Sequence, residues 1–171
     1  GKTRPRFVVK VLEAERVKDL VDLARETGTP LVPVSSDAPH FLGDTVPTTG
    51  DAVILDLSGM KQISFIDRVG RVAVVEPGAV TRAVQDAAQA EGLLYPPDPA
   101  SLESCSIGGN VAENASGPRA VKYGVTKDYV LGLEFVLPDG SVITTGGKIV
   151  KNVTGYNLTG ILDHGYTGEG L

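Results

Sequence analysis

A long stretch punctuated by glycine and proline, from Pro96-Pro97-Asp98-Pro99 to Gly124, rules out a regular alternation of strand and helix in this chain. Its centre, residues 106–124, reads SIGGNVAENASGPRAVKYG, with four glycines, two asparagines and Glu113 as its single acid. Glycine costs backbone entropy, so adjacent glycines at 108 and 109 imply a need for bare main chain. Two further loops interrupt the pattern: Pro33–Phe41 (PVSSDAPHF), directly after an apolar run, and Glu76-Pro77-Gly78, just ahead of a helical one.

The segments between these loops are legible. Phe7–Val11 reads as a strand, and Glu13–Thr27 as a helix with Val17, Leu20, Val21 and Ala24 on one face and Gly28 at its stop. Leu31–Val34 and Ala52–Leu57 are strands, so the chain starts β-α-β. Gln62–Asp67 and Arg71–Val75 flank Arg68-Val69-Gly70 as a hairpin. Val80–Glu91 is a second helix, with Val80, Ala83, Val84, Ala87 and Ala88 inward and Gly92 at its end. Tyr129–Leu137 and Ser141–Thr145 form a hairpin around Pro138-Asp139-Gly140. This order predicts an α+β fold in two lobes, residues 1–57 and 58–171, rather than a doubly wound sheet.

Composition removes several function classes. The 171 residues carry a net charge of −5, which argues against a nucleic-acid partner. No apolar run approaches the length of a membrane span. The basic N-terminal segment has no apolar core of the signal-peptide kind, and the lone Cys105 excludes an internal disulfide framework. A cytoplasmic location is therefore expected, and the sequons at Asn114, Asn152 and Asn157 are incidental. No Gly-x-Gly-x-x-Gly follows a strand, and Gly146-Gly147-Lys148 lacks the flanking residues of a phosphate loop. Two histidines and one cysteine do not make a common zinc site, and no nucleophile elbow is present.

What remains is the glycine-led loop. Ser104–Ile107 leads into Gly108-Gly109-Asn110 and a short helical turn, whose first amides are expected to lack partners and to carry partial positive charge. A diphosphate fits such a site without a lysine, because bare backbone lets a bulky anion approach.

The run VVEPGAVTRAVQDAAQAEGLLYPPDPASLESCSIGGNVAENASGPRAVKYGVTKDYVLGLEFVLPDG, followed by GGKIVKNVTGYNL, resembles the FAD-binding domain of the FAD-linked oxidases (the vanillyl-alcohol oxidase and p-cresol methylhydroxylase type). The branch it resembles is that of the D-type chain of glycolate oxidase and of D-lactate dehydrogenase, from Val8 to about Leu162. The resemblance implies a two-lobed α+β domain with noncovalent FAD extended between the lobes. It also implies an oxidoreductase that passes a hydride from a 2-hydroxy acid, such as glycolate or D-lactate, to flavin N5. Family members continue into a cap domain that is absent from these 171 residues, so the chain is expected to be either a truncated product or a small subunit whose cap or electron acceptor comes from a partner chain. The alternative is an FAD-binding module without turnover of its own, and the chain alone is expected to be inactive.

By the same resemblance, Ser35 and Ser36 lie in the first pyrophosphate loop, where this sequence has Ser35–Pro39 in place of the usual glycines and where Asp37 must turn away. Pro77 and Gly78 pass beside the flavin. Asp98, Pro99, Ser101, Ser104, Cys105, Ile107, Gly108, Gly109 and Asn110 form the main loop around diphosphate and ring. Asn114, Gly117, Tyr123 and Gly124 form its distal wall, and Gly155 and Tyr156 precede the last contacts. The tail from His164 to Leu171 departs from the family's Gly-Ser-Glu-Gly-Thr-Leu-Gly run. No catalytic residue and no metal ligand is assigned. Cys105 reads as a small buried residue and His40 as a loop histidine rather than as covalent flavin tethers. Lys148 and Lys151 read as solvated.

Overall fold

The computed structural model describes residues 3–37 and 46–147. Strand β1 (Phe7–Lys10), helix α1 (Ala14–Thr27), β2 (Leu31–Val34) and β3 (Val53–Asp56) form the first unit of structure. Their sheet is wholly parallel, in the order β1-β3-β2. The central strand β3 places Val53 between Phe7 and Leu31, and its Ile54 and Leu55 are buried. The near-continuous apolar run AVILDL suits such a strand, since a central parallel strand is covered on both faces.

Helix α1 lays Val17 and Leu20 on the core formed by Val11, Leu55 and Met60. It ends where expected. Gly28 adopts φ 64°, its amide bonds Arg25 O, and the Thr29 amide bonds Ala24 O at 2.8 Å, which closes the helix as a Schellman motif.

Two antiparallel hairpins follow: β4 (Ile63–Asp67) with β5 (Val72–Val75), and later β6 (Gly132–Val136) with β7 (Val142–Gly146). Between them stand α2 (Thr81–Ala90), α3 (Ile107–Glu113), α4 (Ala120–Tyr123) and a 3₁₀ turn at Thr126–Tyr129. Mixed helices, a parallel sheet and separate hairpins agree with the α+β reading.

Two local expectations need correction. Ala83 is exposed, because α2 buries the stripe Thr81, Val84 and Ala88 instead. Val80 lies just before the helix and forms a bridge with Ser106. The strand expected from Tyr129 begins only at Gly132, because Asp128 bonds the Val125 amide at 2.8 Å and winds the preceding residues into the 3₁₀ turn.

Candidate functional site

The loop after β2 and the start of α3 meet, although 71 residues separate them in sequence. Ser35 Oγ lies 2.8 Å from Ser106 Oγ, and Ser106, only 1% exposed, caps α3 through the Gly109 amide at 3.4 Å. The segment after β5 lies alongside. Gly108 N donates to Pro77 O at 2.8 Å and Ile107 N to Ala79 O at 2.9 Å. The first amides of α3 are thus taken by the protein, contrary to the expectation of bare donors. The reason is the backbone of residues 77–80, which runs past Ser106–Gly108. Helix α3 has seven residues, and Gly109 alone among its first three amides has a weak partner.

The two adjacent glycines do different jobs. A Cβ on Gly108 would fall 2.8 Å from Pro77 Cβ and 2.9 Å from Ser35 Oγ, so close packing requires glycine there. A Cβ on Gly109 would meet nothing nearer than Ser106 Oγ at 3.4 Å, and its φ is not positive. A helical glycine costs about 1 kcal/mol relative to alanine. At Gly109 neither crowding nor backbone conformation among the described residues accounts for that cost. Gly78 resembles Gly108: its Cβ would strike Leu57 O at 2.6 Å and Met60 O at 2.7 Å.

Two carboxylates near these loops are paired with cations. Asp37 is bound by the Lys61 ammonium, which with Ser58 holds its carboxyl below the ordinary range. Its negative charge is therefore engaged close to Ser35 and Ser36. Asp98 pairs with Arg119 at 3.1 Å, and Gln85 Nε2 donates to Pro97 O at 2.7 Å. Gly117 presses on the same loop, since a Cβ there would fall 1.8 Å from Asp98 O. Pro99 is buried, and Ser101 O accepts the amides of Ser104 and Cys105, each at 2.8 Å.

Asn110 is 2% exposed, and its Nδ2 donates to Thr81 Oγ1 at 2.6 Å. Its Oδ1 has no hydrogen-bond partner among the described residues. Asn114 ends α3 at φ 47°, with Oδ1 accepting from Lys127 N. Tyr123 and Gly124 close α4, where the Tyr129 hydroxyl bonds Tyr123 O. Lys122 holds the Tyr123 phenol below its ordinary pKa. Gly155, Tyr156, His40, Lys148 and Lys151 lie outside the described residues.

The structure thus gathers Ser35, Pro77, Gly108, Gly109 and Asn110, with Asp98 and Gly117 joined at a neighbouring loop. Sequence reasoning missed Thr81 and the two ion pairs. A threonine at the start of an amphipathic helix carries no signal that separates a buried joint from a solvated cap. A cavity of about 310 Å³ opens on the outer face of α2, between Arg82, Gln85, Tyr95 and Arg119, and borders the Asp98 loop through Gln85 and Arg119.

Residues 5–146 match the family described as FAD binding domain. The chain belongs to that family, as an FAD-binding domain of the FAD-linked oxidase type, and its cofactor is FAD. It is 43% identical over 155 residues to "Glycolate oxidase subunit GlcD" of Bacillus subtilis (strain 168), covering 91% of this chain and 33% of that protein. It is 36% identical over 162 residues to "D-lactate dehydrogenase" of Anaerostipes hadrus, covering 95% and 34%. A solved structure of alkyldihydroxyacetonephosphate synthase superposes with a TM-score of 0.77 at 25% identity, over 91% of this chain and 28% of that one. The chain spans about a third of the length of the relatives it matches. Among the described residues no helix is long and apolar enough to cross a membrane.

The residues present fit FAD on two observations. At Gly109 a Cβ would be tolerated at ordinary contact distance yet is absent, and the buried Asn110 carbonyl has no donor among the described residues. FAD supplies both a diphosphate and hydrogen-bond donors on its ring and ribityl chain.

Proposed function

We propose that this chain is the FAD-holding domain of a flavin-dependent oxidoreductase acting on 2-hydroxy acids such as glycolate or D-lactate. FAD lies between lobes at 1–57 and 58–171, held noncovalently. The observation that carries this reading is Gly109, a helical glycine whose missing side chain serves no neighbour among the described residues. The relatives named for glycolate and D-lactate support the substrate class.

When bound, FAD would supply the redox chemistry, with its N5 as the acceptor for a hydride from the hydroxy acid. The chain's residues bind and orient. Ser35 and the Gly109 amide offer donors to the diphosphate, the Asn110 carbonyl accepts from the flavin, and the pairing of Asp37 with Lys61 keeps a carboxylate from repelling it. The remaining assigned residues, from Asp98 to Gly124 and at Gly155 and Tyr156, complete the proposed contacts.

Replacing Gly109 with valine tests the reading. FAD affinity is expected to fall at least about tenfold, or ~1.4 kcal/mol, as followed by flavin fluorescence. The thermal midpoint of the FAD-free chain, read in parallel, separates a loss of binding from a loss of fold. Unchanged affinity in a folded variant would remove Gly109 from the site. Acid precipitation of the loaded chain checks the mode of attachment. All yellow colour is expected in the supernatant, and colour in the pellet would show a covalent tether.

A further inference from the structure

We infer that Thr81 is a positioning residue for the flavin, acting through Asn110. The inference rests on the FAD reading above and extends it to a residue that touches no proposed part of the cofactor. Thr81 is fully buried at the first position of α2 and joins that helix to the loop ahead of α3. Its amide donates to Cys105 O at 3.0 Å. Its hydroxyl lies 3.2 Å from the same carbonyl and 3.1 Å from Cys105 Sγ, and it accepts from Asn110 Nδ2 at 2.6 Å.

The hydroxyl has one proton, directed to Cys105, so its lone pairs face Asn110. That fixes the orientation of the carboxamide. The nitrogen is held by Thr81, and Oδ1 is left as the end without a partner among the described residues. A buried acceptor left unmade costs about 1–3 kcal/mol, so a fixed carbonyl in that state is poised for a donor. FAD is the donor-bearing molecule of this family. Thr81 therefore sets which end of Asn110 the cofactor meets. Neither Ser104–Ile107 nor α2 could fix this alone, because their backbone bonds leave the Asn110 side chain free to turn over.

Thr81→Val keeps the shape and the backbone bond to Cys105 O but removes the acceptor for Asn110 Nδ2. Thr81→Ser keeps the acceptor. With the 171-residue chain and FAD as the probe, Thr81→Val is expected to bind at least about tenfold more weakly and to shift the visible flavin band shape toward that of free FAD. Thr81→Ser should restore both. Wild-type binding by Thr81→Val, or equal losses in both variants, would overturn the inference while leaving the FAD reading in place. Failure of the wild-type chain to bind FAD would overturn the reading and the inference together. Should Thr81→Val not fold, the ¹⁵N side-chain amide signal of Asn110 in the wild-type chain decides. A shift on adding FAD supports the inference, and an unmoved signal overturns it.

Discussion

Replacing Gly117 with alanine is expected to lower the thermal midpoint of the chain by roughly 6–12 °C, the larger of the stability effects foreseen for the loops. The backbone at Gly117 passes so close to Asp98 that a Cβ would sit 1.8 Å from its carbonyl oxygen and 2.4 Å from its carbonyl carbon. No real contact of that length exists, so the main chain of one loop must move. Both partners are backbone, and neither has a rotamer through which to yield. Asp98 is also tied to Arg119, two residues beyond Gly117, so displacement of one segment strains the ion pair with the other. Ala120 N bonds Gly117 O at 2.9 Å, which places α4 on the same hinge. Overpacking of this kind costs about 3 kcal/mol, at about 2–4 °C of midpoint per kcal/mol for a chain of this size. Calorimetry of the FAD-free chain reads the loss directly. A midpoint within about 2 °C of wild type would show that the two loops separate without cost. The same variant should hold FAD more weakly, since it displaces Asp98 of the proposed main loop against Gly117 of the distal wall.

Gly117 also shows why a sequence reads glycines poorly. Residues 108, 109 and 117 share one letter in one stretch, yet a side chain would crowd Pro77 at the first, make only ordinary contact with Ser106 Oγ at the second and strike the Asp98 carbonyl at the third. Those distinctions depend on what another part of the chain brings up, and no local pattern encodes them. Where local patterns suffice, sequence and structure agree closely. Leu31–Val34 is the strand expected, and α1 ends at a left-handed Gly28. The turn between β6 and β7 forms where Pro138-Asp139-Gly140 stands, with the Asp139 carboxylate accepting from Ser141 and Gly140 at φ 83°. Periodicity, caps and turn residues act over a few positions and leave their mark in the letters. The same limit explains the misplaced donors at α3. Ser106-Ile107-Gly108 looks like an open helix start until residues 77–79 run beside it and take two of its amides. Thr81 is invisible in the sequence for a related reason, since its partners Cys105 and Asn110 lie 24 and 29 residues away. The family resemblance supplies the set of loops, and the structure distinguishes among their members.

The FAD-loaded chain of 171 residues is expected to oxidise glycolate or D-lactate at least about a thousandfold more slowly than a full-length relative assayed beside it. A hydroxy acid must be oriented over the cofactor, and its hydroxyl proton must pass to a base. The described residues of the proposed site offer hydroxyls, two carboxamides, the Cys105 thiol, the Tyr123 phenol beside Lys122, prolines and bare backbone. The nearby carboxylates are committed elsewhere, Asp37 to Lys61 and Asp98 to Arg119. Asp37 is moreover held below the ordinary carboxyl range, which makes it a weaker base. Lys61 and Arg119, cations suited to clamp a substrate carboxylate, are the other halves of the same pairs. Neither ion pair is thus free to position the substrate or to take its proton, although binding of FAD needs neither. Anaerobic mixing with each hydroxy acid in large excess should leave the visible flavin band almost unbleached, while dithionite, which needs no oriented pocket, should bleach it at once. Fast, saturable bleaching by either hydroxy acid would place the catalytic groups within this chain and overturn this expectation.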